Sequence, residues 1–391
     1  MTSRCTEAIP FSRPCIGTEE EAAVIRVLRS GWLTTGREAL EFEREFAAFT
    51  GASHTLAVNS CTSGLHLSID ALDLPHGSLV ATTPYTFAAS AEVIRYVGCH
   101  PLFIDVEEDT CNMDATLLER ALAEYGERIS AVLPVHIAGR PCNMEAILSS
   151  ARRHGIPVVE DAAHAFPVRA GDRYAGTIGT TGVYSFYANK TITTGEGGMI
   201  ATESEELAQR MRIKRLHGID RPSWDRYTSA RADWRYEIVA AGYKYNLSDL
   251  GAAIGRVQLR RAGGFLEARR RIARAYMRRL AGCDFITLPE DVEQHAWHLF
   301  IVRLRPSELS IGRDEFVRRL QESGIGVSVH FIPLHVMPYY RETYGLEPED
   351  FPVAHRNSLR SISLPIYPGL MEKQINAVVE AIRKIGYSSH R

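Results

Sequence analysis

The spacing of apolar residues changes along this chain, and the changes predict an α/β protein. Near the N-terminus, Ala39, Phe42, Phe46 and Phe49 recur at helical intervals, so a helix turns one face inward. An earlier helix is predicted to start at Thr18, with Thr18 and Glu21 forming a capping box. Short β-rich runs follow at Thr55–Val58, Leu79–Thr82, Pro101–Val106, Ile129–Val135, Pro157–Glu160, Val183–Phe186 and Met199–Ala201. Helical patterns such as Leu65/Ile69/Leu72 and Ala146–His154 separate the earlier runs. Strands alternating with helices predict a largely parallel sheet. Several runs are apolar almost throughout, as a sheet covered on both faces requires. Such sheets bind ligands beyond the carboxyl ends of their strands.

After the strand-rich half, a long helical segment runs from Ser248 towards Leu280. It is Arg-rich on one side, and Arg269-Arg270-Arg271 reads as a solvated face. Trp297–Leu304 then reads as a strand, Arg313–Glu322 as a helix, Val327–Phe331 as a strand and Met371–Ile385 as a closing helix. The expected division is an N-terminal arm and large domain over 1–265, then a smaller α/β domain over 266–391. The stretch Asp220–Ala241, rich in Trp, Tyr and Arg, is expected to be a mobile loop over the site or the dimer partner.

Composition narrows the function. The 391 residues carry 45 Lys and Arg against 47 Asp and Glu, a net charge of −2. That balance creates no field for nucleic acid or an acidic membrane. The seven cysteines form no Cys-x-x-Cys pair, so neither a disulfide framework nor a metal site is expected, and a reducing cytoplasm fits. No apolar run reaches the length of a membrane span. Dinucleotide, triphosphate-binding and hydrolase-elbow fingerprints are missing.

Four stretches at strand ends can carry chemistry. Tyr184 to Met199 holds one lysine, Lys190, with several hydroxyls and the run Gly195-Glu-Gly-Gly198. A partly desolvated amine there can condense with an aldehyde; a lysine in a surface turn is the plainer alternative. Pro157-Val-Val-Glu-Asp161-Ala-Ala-His164 ends a strand in two acids that must face opposite ways. One can enter the cleft and pair with a protonated pyridine nitrogen; a helix-capping aspartate is the alternative. Ser60-Cys61-Thr62-Ser63-Gly64 leads into a helix and can cup a phosphate; simple capping needs the same residues. Pro84-Tyr85-Thr86-Phe87 can offer an aromatic platform to a flat heterocycle; core packing is the alternative. Each signal is modest alone. Their order is informative: phosphate cup, platform, acid, lysine, each after a strand.

Glu160-Asp-Ala-Ala-His164, Ser185-Phe-Tyr-Ala-Asn-Lys190 and Thr194-Gly-Glu-Gly-Gly198 together resemble the sugar-nucleotide aminotransferases of the DegT/DnrJ group. His217-Gly-Ile, Gly242-Tyr-Lys-Tyr-Asn-Leu-Ser-Asp249 and Val329-His-Phe-Ile-Pro-Leu-His335 extend the resemblance to most of the chain. It implies the fold-type-I transferase fold, pyridoxal 5'-phosphate (PLP) as cofactor and a homodimer with shared active sites. Lys190 then matches the Schiff-base lysine, Asp161 the partner of the pyridine nitrogen, and His164 a residue beside the ring's phenolic oxygen. Phe87 matches the stacking aromatic, and Cys61, Thr62 and Ser185 match phosphate contacts. Lys244 stands where many members place an Asn that reaches the partner's phosphate, and Asn246 lies two residues on. Tyr85, His217 (with Arg215), His330 and His335 are candidate substrate contacts.

The implied reaction moves an amino group from L-glutamate to a nucleotide-linked keto-sugar, at C4 because Gly-Glu-Gly-Gly accompanies that regiochemistry. The Lys244 pattern resembles enzymes that aminate a UDP-linked 4-keto-pentose. Asn189-Lys-Thr-Ile-Thr-Thr-Gly resembles GDP-perosamine synthases instead. A C3-sugar or cyclitol aminotransferase shares these motifs, and a non-catalytic regulator on the same fold is the alternative outside enzymes.

Overall fold

The computed structural model describes residues 8–220 and 235–391. Seven strands share one twisted layer: β1 (His54–Val58), β2 (Leu79–Thr82), β3 (His100–Phe103), β4 (Ile129–Leu133), β5 (Val159–Asp161), β8 (Thr181–Ser185) and β9 (Gly198–Thr202). A two-stranded ribbon, β6 (Arg169–Ala170) and β7 (Arg173–Tyr174), interrupts the numbering. The order is β3-β2-β4 on one side and β5-β8-β9-β1 on the other, and parallel bridges Val132–Val158 and Val135–Asp161 join the halves. All pairings are parallel except those of β9, which runs against both β8 and β1. The predicted parallel sheet therefore holds, with one reversed strand. That reversal brings the chain straight back from the loop carrying Lys190.

The helices before and between the strands are α1 (Thr18–Ser30), α2 (Arg37–Thr50), α3 (Cys61–Asp70), α4 (Ala89–Tyr96), α5 (Ala115–Tyr125) and α6 (Met144–Arg153); α7 (Glu205–Lys214) and α8 (Asp249–Leu280) follow. The first start signal shifts by one residue. Gly17 is the cap of α1, and its N–H donates to the Glu20 carboxylate at 2.9 Å, so Thr18 already lies inside the helix. In α2 the predicted face is buried: Phe42 and Phe46 are fully enclosed, and Phe46 packs on Phe166, Tyr184 and Phe186 with ring centroids 5.0–5.8 Å apart. Helix α3 crosses β8 and β9 closely. A methyl group on Gly64 would meet Val183 Cγ1 at 2.5 Å and Ile200 Cγ1 at 3.2 Å, so only glycine permits this approach.

Helix α8 is capped by Ser248, whose Oγ accepts from Gly251 N–H, as its sequence suggests. The three arginines do not share a solvated face. Arg271 is exposed, whereas Arg269 is 2% exposed, so the solvated reading fails for that residue. Beyond α8 a second core gathers Ile272, Tyr276, Phe300, Leu320, Ile362 and Ile382 around a small sheet of Ile286–Thr287, Phe300–Leu304 and Ser361–Leu364. The helix Arg313–Glu322 forms as expected, and the closing helix is Glu372–Ser388. Val327–Phe331 is not a strand. It meets the sheet through the single Ser328–Ser363 bridge and a hydrogen bond between His330 Nδ1 and Ser363 Oγ at 2.8 Å, and His330 and Phe331 line the cavity described below.

Of the stretch Asp220–Ala241, residues 221–234 lie outside the described residues. Its flanks pair antiparallel through Ile219 and Ile238. The six described cysteines are free. No helix among the described residues is long and apolar enough to cross a membrane.

Truncating a fully enclosed core aromatic removes its transfer energy and leaves a cavity, at a cost of about 3–5 kcal/mol. Phe46→Ala is expected to lower the unfolding free energy by that amount, read as a lower urea midpoint with an unchanged dependence on denaturant; a loss below about 1 kcal/mol would show that α2 is not anchored there.

Candidate active site

Alternation along β5 sends its two acids to opposite sides. Glu160 is fully buried. It accepts from the N–H groups of Ile178 and Gly179 at 2.6 Å and Gly176 at 2.9 Å, and from His136 Nε2 at 3.0 Å. Cys142 N–H donates to His136 Nδ1, so that imidazole keeps its proton on Nε2. Asp161 faces a cavity of about 450 Å³ at the carboxyl ends of the strands. Its carboxylate accepts from Ser90 Oγ at 2.8 Å and Ala163 N–H at 3.1 Å. Burial still outweighs these donors and raises its pKa above the usual carboxylate value. The group is short of one cation.

Lys190 enters the same cavity from the loop between β8 and β9. That loop is tied by its own hydroxyls. Thr193 Oγ1 donates to Phe186 O at 3.0 Å and accepts from Gly195 N–H at 2.9 Å, while Thr194 Oγ1 donates to Glu196 O at 2.6 Å. Gly195 has φ of 82°, which favours glycine. Lys190 N–H donates to Tyr187 O, which fixes the turn. Removal from water lowers the Lys190 pKa to about 8, with Cys61 and Asp161 opposing the shift and Arg269 adding to it. Its Nζ lies 3.5 Å from His298 Nε2.

The opposite wall is the first turn of α3. Ser60 caps it by accepting from Ser63 N–H at 3.0 Å. The amides of Cys61 and Thr62 belong to that first turn and have no carbonyl within the helix to pair with. A methyl group on Gly198 would strike Cys61 N at 2.9 Å, so glycine is what lets β9 run beside this turn. Ser185 Oγ faces the same space. Phe87 is 66% exposed for a large aromatic and lines the cavity instead of the core.

Lys190, Asp161, His164, Cys61, Thr62, Ser185, Phe87 and His330 thus surround one cavity. The other candidates lie elsewhere. Tyr85 is fully buried in the core, and its hydroxyl donates to His330 O at 2.7 Å, so it supports a site residue without facing the cavity. His217 is exposed in a left-handed turn away from it, and Arg215 is buried against Glu43 and Ala57 O. His335 is fully buried beside Phe351. Lys244 is exposed, and Asn246 donates to Thr35 Oγ1 at 2.6 Å; neither lines its own chain's cavity.

Two cavity-lining residues were not among the candidates: Asn189, whose Oδ1 is buried without a partner, and His298. Only a polar residue entering the apolar run Trp297-His-Leu-Phe300 marked His298. The His164 ring lies 4.3 Å from the His298 ring at a tilt of 39° and nearly parallel to Phe331. Burial and the nearby Lys190 hold both histidines well below the ordinary imidazole pKa, and His330 falls to about 4 for the same reasons.

Residues 14–383 match the DegT/DnrJ/EryC1/StrS aminotransferase family. The chain belongs to that family. The aminotransferase is 42% identical over 388 residues to the spore coat polysaccharide biosynthesis protein SpsC of Bacillus subtilis, covering 98% of this chain and 99% of SpsC. Spr1654 from Streptococcus pneumoniae, solved in PMP and PLP forms, superposes with a TM-score of 0.90 for the PMP form at 29% identity, over 97% of this chain and 99% of Spr1654. PseC from Helicobacter pylori, an aminotransferase of pseudoaminic acid biosynthesis, superposes with a TM-score of 0.90 at 26% identity, over 98% of this chain and all of PseC. The protein is a PLP-dependent aminotransferase of fold type I, as its sequence implied, and its family and neighbours are sugar aminotransferases.

The residues present fit that cofactor. A flat cationic ring would supply the charge Asp161 lacks, and His164 Nδ1 and Asn189 Oδ1 are buried polar atoms awaiting partners. The first turn of α3 suits a phosphate.

The lowered Lys190 pKa sets its reactivity in the cofactor-free protein. Only the unprotonated amine attacks formaldehyde, so its reductive methylation is expected to rise with pH around a midpoint near 8. Surface lysines should lag, with midpoints near 10.4. Peptide mass spectrometry across pH would check this; a Lys190 midpoint matching the surface lysines would show an amine still in water.

Proposed function

We propose that this aminotransferase moves an amino group from L-glutamate to the C4 keto group of a nucleotide-linked sugar. The observation that carries the reading is the shared cavity, where a desolvated amine faces an unpaired buried acid and a phosphate-binding helix turn. The printed roles of SpsC and PseC, in polysaccharide and pseudoaminic acid biosynthesis, support a sugar as acceptor. Gly195-Glu-Gly-Gly198 supports C4 by analogy.

In this reading Lys190 would anchor PLP, Phe87 would cover its ring, Asp161 would pair with its ring nitrogen, and Cys61, Thr62 and Ser185 would hold its phosphate. Bound there, PLP supplies the electron sink that lets an α C–H bond of the donor ionise. The protein does the rest. Lys190 Nζ takes the α-proton and returns it to the neighbouring carbon, which its lowered pKa permits near neutral pH. Asp161, as carboxylate, stabilises the positive charge opposite it. His164, neutral, offers a hydrogen bond without adding a charge. Exposed Tyr187 and Glu196 stand at the mouth, where an uncharged sugar with hydroxyl groups can be received.

The 1–265 and 266–391 division and a homodimer belong to the same proposal. Neither Lys244 nor Asn246 lines its own chain's cavity, which leaves them available to a partner's phosphate in this reading. A cytoplasmic setting accords with six free cysteines and is proposed with it.

The purified protein should show a yellow absorbance band that bleaches on adding L-glutamate, and a panel of nucleotide 4-keto-sugars should restore it. Restoration only by 3-keto-sugars or cyclitols would overturn the C4 assignment. Lys190→Ala is expected to abolish multiple turnover, and retained turnover would remove Lys190 from its role.

A further inference from the structure

Arg269 is an unusual residue to find inside this molecule. Its guanidinium is buried on α8, and among the described residues no carboxylate pairs with it. Nη1 instead donates to three carbonyls: Trp297 at 3.1 Å, His298 at 3.3 Å and Ile366 at 2.9 Å. Nε has no partner. A buried charge without a counter-ion is costly, and a structural clamp alone does not require one.

The clamped carbonyls identify its purpose. Trp297 has φ of 50°, in the left-handed region that a bulky residue rarely occupies. Its indole stacks on the His295 ring with centroids 3.8 Å apart, and the backbone N–H of Trp297 donates to His295 Nδ1 at 2.9 Å. The segment is thereby locked from both sides, and the turn it makes aims the His298 ring at Lys190. Nε2 lies 3.5 Å from Nζ. A lone pair on Nε2 places the imidazole proton on Nδ1, which is buried without a partner. An unprotonated amine that donates one N–H to Nε2 must turn its own lone pair elsewhere, and the open side is the cavity.

We propose that His298 is a further catalytic residue, accepting a hydrogen bond from the Lys190 amine and so aiming its lone pair into the cavity, and that Arg269 is the positioning residue that sets His298 there. The arginine also works through space. Its charge adds to burial in lowering the proton affinity of both His298 and Lys190. A carboxylate partner for Arg269 would cancel that effect. Its carbonyl partners leave the charge intact.

The inference rests on the assignment of Lys190 as the reacting amine. Its test keeps the two apart. Lys190 methylation would be followed against pH in the cofactor-free protein, and glutamate-driven bleaching in the PLP-loaded enzyme. His298→Phe keeps a ring of similar size but removes the acceptor. It is expected to slow both Lys190 methylation at high pH and bleaching by about 10- to 100-fold, with little change in the glutamate concentration at half-saturation. His298→Gln, which retains an acceptor, should recover part of the loss. Arg269→Met should move the methylation midpoint from near 8 towards that of surface lysines. Arg269→Lys should keep the midpoint, because the charge remains, yet lose rate, because the shorter side chain cannot bring its ammonium to the place Nη1 holds among the three carbonyls. If Arg269→Met yields no folded protein, Arg269→Lys decides. Wild-type rates in His298→Phe would overturn the role of His298, and a wild-type rate in Arg269→Lys that of Arg269. Loss of bleaching in Lys190→Ala alongside wild-type behaviour of these variants would remove this inference alone. Bleaching and turnover retained in Lys190→Ala would remove the reading beneath it.

Discussion

The arrangement of this site depends on one carboxylate that never touches it. Glu160 spends its acceptor capacity on three backbone N–H groups and His136. These bonds gather the end of β5, the turn after β4 and the bend at Gly176–Gly179 that leads into β8. Because neighbouring residues on a strand face opposite ways, fixing Glu160 on one side fixes Asp161 on the other. A single anchored residue thereby sets the depth and direction of the acid in the cavity. Tyr85 plays a comparable part behind His330, holding its carbonyl from the core.

Charge inside the cavity is unbalanced. Lys190, His164, His298 and His330 line it and can each carry a proton, the Arg269 guanidinium acts on them from the His298 carbonyl outside that lining, and Asp161 and exposed Glu196 are the carboxylates of the lining. In a low-dielectric space these groups discourage each other's protonation. The histidines remain neutral while Arg269 stays charged. The result is an interior that favours anionic ligands, such as a phosphate or a donor carboxylate, without holding mobile protons that would quench the lysine.

Much of this was legible in the sequence because it is local. Strand alternation separates Glu160 from Asp161, a lysine among hydroxyls and glycines marks a tight loop, and small hydroxyl residues before a helix mark its first turn. Each rule acts over a few residues. The misreadings arose where distant packing decides. Arg269 looks solvated beside Arg270 and Arg271 until carbonyls from a segment nearly thirty residues on, and another near residue 366, close over it. Val327–Phe331 has strand-like residues, but it is drawn off the small sheet towards the cavity. Tyr85 resembled a ligand contact, yet packing buries it in the core, while His298, which the sequence did not single out, lines the cavity.

The reversed strand β9 has a further meaning. Ser185 and Gly198 sit opposite each other in the antiparallel pair, so the segment carrying Lys190 leaves and re-enters the sheet at one point. A loop whose ends are held together by the sheet has its closure cost met by the framework and not by its own sequence. Exposed residues such as Tyr187 and Glu196 can therefore be exchanged while the strands and the lysine keep their places. In such a molecule, choice of acceptor can diverge quickly over evolutionary time while the chemical step stays the same.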